Sequence, residues 1–239
     1  MSNTETLPAV PFLIVVDSSG SMKENGGIDL INRSLPNMAR ILKDKPDIEE
    51  TASVGLLSFA EGVEVHRQIE PLTEDFTVPP FKANGRTSYA APLERMRSVI
   101  AEDLPKLSSR GRRPVAFFIT DGKPNFEKEP VWKAARARLL DDRFRLRPKL
   151  VALGCGEVDP SCLEELASDP SLAQWQSGPT REALQAILRT VRGTIITLTE
   201  EGGGAQSYQS EGPDDLVARI FEFDDYETGP KEVFEYQPA

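Results

Sequence analysis

The sequence predicts an α/β fold: a doubly wound, mostly parallel central sheet with one antiparallel edge strand and helices on both faces. Strand-like and helix-like segments alternate along the chain, as they do in successive βαβ units. Residues 10–17 and 115–120 are nearly continuous apolar runs, which is typical of central parallel strands buried on both faces. Residues 54–59 and 63–69 flank a glycine turn and predict the hairpin that supplies the antiparallel edge strand.

The first half of the chain also predicts two amphipathic helices. Residues 29–43 place apolar side chains on one stripe, and Pro36 within them predicts a kink or a late start of the helix. Residues 73–81 contain two adjacent prolines and are expected to form a loop. Residues 88–104 again carry an apolar stripe, and Pro92 falls in the first turns, where proline is tolerated.

The second half continues the alternation of helices and strands. A helix is expected at 131–142 with Trp132 facing inward, followed by a short strand at 149–153 that a Gly-Cys-Gly segment ends. The remaining elements are a helix at 162–167, a brief strand at 172–176 and a last helix at 181–196.

Composition excludes several classes of protein. The chain has 239 residues, which is enough for one sizeable α/β domain and an additional segment. Its net charge of −10 argues against nucleic-acid binding, which requires clustered cations. No apolar run reaches the roughly 18 residues of a membrane span, and the first residues lack the pattern of a secretion signal. We therefore expect a cytoplasmic protein that binds neither membrane nor nucleic acid.

The composition changes after Glu200. Residues 202–204 are three glycines, which predict a flexible break between a domain at 8–199 and a tail at 200–239. The tail is acidic and contains several aromatic residues. One interpretation is a disordered or loosely docked tail, and the other is a segment that folds on a partner or back onto the domain.

A few features elsewhere have ordinary explanations. Cys155 and Cys162 are expected to be reduced, structural thiols, with a redox or metal role as the alternative. His66 lies in an alternating segment and is expected at an exposed strand position. The basic residues at 110–113 and 136–147 indicate a solvated helix face and a loop, or alternatively a docking patch for an acidic partner.

Oxygen-bearing side chains follow two of the predicted central strands. Asp17, Ser19 and Ser21 come directly after the first strand, and alternate residues can direct their side chains into one small volume. Asp121 follows another apolar strand, and Thr87 follows a glycine turn. Because the carboxyl ends of parallel strands open on one edge of the sheet, we expect these residues to meet there. Carboxylates and hydroxyls suit Mg²⁺ and are poor ligands for zinc.

The pattern Asp-x-Ser-x-Ser, then Thr87, then Thr-Asp-Gly resembles the metal-ion-dependent adhesion site (MIDAS) of von Willebrand factor type A domains. The resemblance covers roughly residues 8–199, and its five positions are matched by Asp17, Ser19, Ser21, Thr87 and Asp121. It implies that the three hydroxyls coordinate Mg²⁺, with Mn²⁺ or Ca²⁺ as alternatives. It also implies that the two carboxylates act largely through bound waters.

Within that family, the chain resembles the intracellular bacterial branch associated with tellurium resistance and stress operons. The segments at 17–22 and 119–124 and the late helix around 184–198 suggest this branch. Arg86 is a departure, because many members have a second glycine there. It either narrows access to the metal or meets an acidic ligand.

The resemblance implies a non-enzymatic, metal-dependent module for protein–protein interaction. A partner would supply an Asp or Glu to the open position on the cation, in a bacterial stress-response or tellurium-resistance-type system.

Two alternatives remain open at the level of sequence. The first is a Mg²⁺-dependent phosphohydrolase that uses Asp17 and Asp121, although a haloacid-dehalogenase-type enzyme needs a second acid where this chain has Ser19. The Gly-x-Ser-x-Gly elbow and the phosphate-binding loop are also missing. In the second alternative, the tail fills the site itself, with Asp224, Asp225 or Glu227 as the ligand.

Overall fold

A six-stranded sheet in the order β3-β2-β1-β4-β5-β6 forms the centre of the fold. The computed structural model describes residues 10–45, 48, 51–107, 113–200, 216, 219 and 220. The strands are β1 (Val10–Asp17), β2 (Ala52–Phe59), β3 (Val63–Pro71), β4 (Val115–Thr120), β5 (Lys149–Cys155) and β6 (Ala173–Gln176). All neighbouring strands are parallel except β2 and β3. The predicted fold class is therefore confirmed, including the single antiparallel edge strand.

The helices connect these strands in the alternating order expected. They are α1 (Gly20–Glu24), α2 (Gly27–Lys43), α3 (Ala90–Asp103), α4 (Glu129–Leu139), α5 (Pro160–Leu166) and α6 (Thr180–Glu200), with short 3₁₀ turns at Leu104–Lys106 and Pro170–Leu172. Helix α2 packs against α6, and α3 packs against α4. The short helix α1 was not predicted, and it places Ser21 in its first turn. Pro36 does not end α2, which begins at Gly27 and continues to Lys43.

The central strands are buried along their whole length. Every residue of β1, β2, β4 and β5 is buried, because helices pack on the sheet and neighbouring strands flank each of these strands on both sides. An aromatic cluster joins the sheet to the helices. The ring centroid of Phe118 lies 4.7 Å from that of Phe59 and 5.0 Å from that of Tyr89, and Tyr89 lies 5.9 Å from Trp132 of α4. This cluster holds the segment before α3 firmly against the sheet.

The prediction of an exposed His66 is wrong. Its side chain is 3% exposed, and its Nε2 lies 2.7 Å from the hydroxyl of Ser58. Phe81, from the 73–81 loop, packs edge-on against the imidazole with ring centroids 4.3 Å apart. The loop covers this face of β3, which periodicity within β3 does not reveal. Burial lowers the pKa of His66. The Ser58 hydroxyl is itself buried within a strand, so the pair lacks the exposed nucleophile of a hydrolase.

The tail and the basic cluster are described only in part. Residues 110–112 lie outside the described residues, as do 201–215, 217–218 and 221–239. Leu216 and Ile220 are buried against the core, and a guanidinium nitrogen of Arg219 donates a hydrogen bond of 2.8 Å to the carbonyl of Ser171. At these three positions the tail therefore contacts the domain.

Replacing Gly55 with alanine is expected to destabilise the protein by ~1–3 kcal/mol, the usual cost of overpacking a core. A Cβ atom at Gly55 would lie 2.6 Å from Cδ1 of Leu13 and 2.9 Å from Cγ1 of Ile69. Urea denaturation measures the change in the free energy of unfolding. The matched control is Gly193→Ala in α6, where a Cβ meets no atom within 4 Å. Equal stabilities of the two variants would contradict the packing described for β2.

Candidate metal centre

The loop after β1 is bound directly to the loop before α3. The amide of Asn84 donates a hydrogen bond of 2.9 Å to the carbonyl of Ser18, and the amide of Gly20 donates one of 2.9 Å to the carbonyl of Gly85. Gly85 has a φ of +80°, and a Cβ there would also lie 3.3 Å from Cγ of Glu61. The conformation that joins these two loops therefore requires glycine at position 85.

The loop before α3 is bound in turn to the loop after β4. The carbonyl of Thr87 accepts hydrogen bonds from the amides of Asn125 and Phe126, at 2.9 and 3.0 Å, and its amide donates to Oδ1 of Asn125 at 2.8 Å. The Tyr89 hydroxyl donates to the carbonyl of Gly122 at 2.7 Å. Three segments that are distant in the sequence thus meet at the carboxyl ends of β1 and β4, where the sequence placed them.

The carboxylate of Asp17 is held rigidly at the base of this site. One oxygen accepts a hydrogen bond of 2.8 Å from the Ser19 amide, and the other accepts one of 2.7 Å from the Thr120 hydroxyl. The residue is fully buried. Both oxygens are therefore engaged and shielded, which suits a structural role better than the role of a nucleophile.

A chain of hydrogen bonds connects three of the other four predicted side chains, and the side chain of Asn25 extends it. The hydroxyls of Ser19 and Ser21 lie 3.0 Å apart, and Ser21 donates to Oδ1 of Asp121 at 2.8 Å. The amide of the Asn25 side chain donates to Oδ2 of Asp121 at 2.5 Å, while its oxygen accepts from the Gly27 amide at 2.9 Å. The structure thus brings Asp17, Ser19, Ser21 and Asp121 together as expected.

Thr87 stands apart from this chain. The residue is 2% exposed, and among the residues that the structure describes no partner accepts or donates a hydrogen bond to its hydroxyl. Nor does Thr87 cap the following helix, because the amide of Ala91 bonds to the hydroxyl of Ser88 instead, at 3.2 Å. Within the described part of the chain, the Thr87 hydroxyl is therefore available to a ligand.

The site concentrates negative charge. Burial raises the pKa of Asp17 from its ordinary value of 3.8 to about 6, and the nearby charge of Asp121 adds to this, against hydrogen bonds from Ser19 and Thr120 that lower it. Burial likewise raises the pKa of Asp121. Within the described part of the chain, no basic side chain forms an ion pair with either aspartate, and Lys123 pairs with Asp159 instead, at 3.0 Å. A bound cation would neutralise this charge.

The available ligands fit a hard cation such as Mg²⁺. They are two carboxylates and three hydroxyls, the oxygen donors that Mg²⁺ and Ca²⁺ prefer. Among the described residues, no group of three or more His, Cys, Asp or Glu side chains is placed to hold a metal. Cys155 lies close by and donates weakly to the carbonyl of Thr120 at 3.6 Å. Burial raises the pKa of its thiol to about 12, which disfavours the thiolate form that binds metals.

Sequence reasoning missed three residues that position this site: Asn25, Thr120 and Asn125. Thr120 precedes Asp121 and carries a hydroxyl at the end of β4, which was a visible signal. Asn25 lies four residues after Ser21, but this spacing has meaning only once α1 is known to be helical. Asn125 contacts the backbone of Thr87 across 38 residues, which no local pattern indicates.

Arg86 lies on the rim of the site. Its Nε is 3.2 Å from a carboxylate oxygen of Glu61, and its guanidinium lies 4.8 Å from the ring centre of Phe126. Phe126 is 42% exposed. The side chain is thus held between an acid and an exposed aromatic ring beside Thr87.

Residues 12–123 match the family model of the von Willebrand factor type A domain. Over these residues, just under half of the chain, the sequence is therefore similar to von Willebrand factor type A domains. The matched range includes all five predicted site residues. No curated protein matches the chain in sequence. Among the helices that the structure describes, none has the length and apolar character to cross a bilayer.

Several solved structures share this fold. A proximal thread matrix protein from the mussel byssus, with a zinc-occupied MIDAS motif, is 19% identical with a TM-score of 0.56, over 80% of this chain and 46% of its own. A von Willebrand factor type A protein from Catenulispora acidiphila is 16% identical with a TM-score of 0.58, over 79% of this chain and 43% of its own. The open conformation of the pilus adhesin SpaC from Lactobacillus rhamnosus GG is 15% identical with a TM-score of 0.64, over 82% and 31%. This chain spans less than half the length of each of these three.

Proposed function

We propose that the chain binds Mg²⁺ through Asp17, Ser19, Ser21, Thr87 and Asp121, and that the ion holds an Asp or Glu side chain of a partner protein. The observation that carries the proposal is the pairing of two buried carboxylates, which no basic side chain among the described residues neutralises, with the Thr87 hydroxyl, which has no hydrogen-bond partner among those residues. The zinc-occupied MIDAS motif of the byssus protein supports a metal at this position of the fold. Mn²⁺ and Ca²⁺ are alternative occupants with the same preference for oxygen.

The neutral ligands account for partner binding. Three of the five proposed side chains carry no charge, and both carboxylates are already engaged by hydrogen bonds from Ser19, Thr120, Ser21 and Asn25. A cation so held keeps much of its positive charge, and it supplies an attractive site for an external carboxylate. In an environment of low effective dielectric, one such contact contributes about 4 kcal/mol at 4 Å.

We also propose where the protein acts and how its chain is divided. The domain occupies residues 8–199 and acts in the cytoplasm, and residues 200–239 form its tail. The motif segments at 17–22 and 119–124 support placement in the bacterial branch associated with tellurium resistance and stress response. The partner is then a protein of that system with an exposed acidic residue.

The two alternatives, a phosphohydrolase and a site filled by the tail, receive less support than metal-dependent binding of a partner. A phosphohydrolase would need a free carboxylate, whereas Asp17 is fully buried with both oxygens hydrogen-bonded. Occupation by the tail is not favoured by its described part, since Arg219 contacts Ser171. Ser171 precedes β6, so this contact lies towards the amino ends of the parallel strands, and the metal centre lies at their carboxyl ends.

The substitution Thr87→Val tests the metal site, because it removes the hydroxyl and changes the shape of the side chain little. Calorimetric titration is expected to show that Mg²⁺ binds to the wild type. The Mg²⁺ affinity of the variant is expected to be at least ~10-fold lower, which corresponds to about 1.4 kcal/mol. The control is Thr197→Val in α6, which removes a hydroxyl whose partner among the described residues is the carbonyl of Gly193 in the same helix. Equal Mg²⁺ affinity in Thr87→Val and the wild type would remove Thr87 from the site.

The same variant tests whether binding of a partner protein depends on the metal. Immobilised wild-type protein is expected to capture a partner from native lysate in Mg²⁺ and to lose it in EDTA, while Thr87→Val captures little in either. Capture that is unaffected by EDTA would show that binding does not depend on the metal.

A further inference from the structure

A second polar depression lies between α2 and α6. It is a groove of about 430 Å³, and its walls carry Arg33 on α2 and both Arg189 and Arg192 on α6. Met38 and Leu188, both buried, form its floor. The lining residues occupy the middle of the two helices, whereas the metal centre lies at the loops that follow β1 and β4. The groove is therefore a separate feature of the fold.

The two helices present these side chains by regular spacing. Arg189 and Arg192 are three residues apart and lie on one face of α6, one turn above the other. Gln185 lies one turn before Arg189 on the same stripe. On the opposite wall, Ser34 and Asn37 adjoin Arg33. All six polar side chains can donate hydrogen bonds, and none of the described residues that line the groove is acidic.

The three guanidinium groups have no partner among the residues that the structure describes. Asp29 lies one turn before Arg33 on α2, at the spacing of a favourable helix pair, yet the two do not pair. On the same helix, Arg40 does pair with Asp44, at 3.2 Å. The chain has 38 acidic and 28 basic residues, so acids are not scarce. Three cationic side chains thus line one groove, and an anion bound there would be attracted to all three.

We propose that this groove binds a phosphate group. A phosphate monoester carries a charge of about −1.5 to −2 and three strong acceptor oxygens, which match three cations better than a single carboxylate does. The planar guanidinium binds phosphate through two parallel hydrogen bonds, and the amides of Asn37 and Gln185 can reach the remaining oxygens. The phosphate belongs either to a free phosphorylated compound or to a phosphorylated side chain of a partner protein.

Calorimetry with two probes tests the proposal on the full chain. Inorganic pyrophosphate represents the free compound, and a phosphoserine peptide represents the protein, with its unphosphorylated form alongside. EDTA removes divalent cations, so that the phosphate probes cannot bind to an ion at the metal centre. An ionic strength near 0.15 M screens weak electrostatic attraction to the protein surface. The variants are Arg33→Gln, Arg189→Gln and Arg192→Gln. The matched control is Arg181→Gln, an exposed arginine of α6 that lies outside the groove and has no ion-pair partner among the described residues.

We expect at least one phosphate probe to bind, each groove variant to weaken that binding at least tenfold, and Arg181→Gln to change it less than twofold. Tighter binding of pyrophosphate would identify a free compound, and tighter binding of the phosphopeptide would identify a phosphoprotein. Three results would overturn the proposal: no binding of either phosphate probe at millimolar concentration, equal binding of the unphosphorylated peptide, or an equal loss in Arg181→Gln. Thermal unfolding of each variant confirms that the fold is retained.

Discussion

In the absence of divalent cations, Asp17→Asn is expected to be more stable than the wild type at pH 7.5. The expected gain in the free energy of unfolding is up to ~3 kcal/mol, because the pKa of Asp17 in the folded wild type is raised by about two units. Burial raises the pKa of Asp17 from 3.8 to about 6, so the folded chain holds this proton more tightly than the unfolded chain. The wild type therefore loses this stability as the pH rises from about 4 to above 6. An amide at position 17 carries no charge and avoids that loss.

The substitution is compatible with the local hydrogen bonds. An asparagine oxygen can accept from the Ser19 amide, and its nitrogen can donate to the Thr120 hydroxyl, which also contacts the carbonyl of Gly122 at 3.2 Å. Urea denaturation in EDTA from pH 4 to 7.5 measures the difference, with the exposed Asp75→Asn as the control. Mg²⁺ should then stabilise the wild type and not Asp17→Asn. Parallel stability curves for the wild type and Asp17→Asn would contradict the burial of an uncompensated charge at this position.

Asp121→Asn is expected to weaken Mg²⁺ binding at least ~100-fold, or about 2.7 kcal/mol. The substitution keeps the side-chain shape and removes one of the two charges at the proposed metal site. A unit charge about 4 Å from another contributes ~4 kcal/mol at an effective dielectric of 20, so a loss of this size needs only part of that interaction. The Mg²⁺-dependent rise in melting temperature, supported by calorimetry, measures the loss.

The control for Asp121→Asn removes a charge from the rim. Glu61→Gln removes the carboxylate that pairs with Arg86 at 3.2 Å. Arg86 lies on the loop beside Thr87. Because Glu61 is 47% exposed and outside the cluster of hydrogen bonds, we expect less than a threefold change in Mg²⁺ affinity. Retention of Mg²⁺ affinity within threefold by Asp121→Asn would show that the cation, if bound, lies elsewhere.

Many features of this protein follow from local sequence. The apolar runs of β1 and β4 predicted central parallel strands because a strand buried on both faces needs no polar alternation. The hairpin of β2 and β3 followed from a glycine turn between two strand-like segments. Asp17, Ser19 and Ser21 indicated a metal loop because their spacing and their place at a strand end are local properties.

Other features depend on contacts between distant segments. The burial of His66 arises from Phe81 in a loop that no pattern in β3 specifies. Similarly, Thr120 donates to Asp17 across 103 residues, and Asn25 donates to Asp121 across 96. Such partners are chosen by the packing of the sheet and its loops, so reasoning from periodicity did not find them.

The sequence by itself therefore determined the fold class, the edge of the sheet where the site lies and the residue types gathered there. Each of these rests on patterns within a few residues or on the common direction of parallel strands. Only the tertiary structure decided which hydroxyl is left without a partner, how far the two aspartates are buried and which arginines of α2 and α6 face one groove. Those properties depend on distances between segments that are far apart in the chain, and the amino-acid order encodes them only through the folded packing.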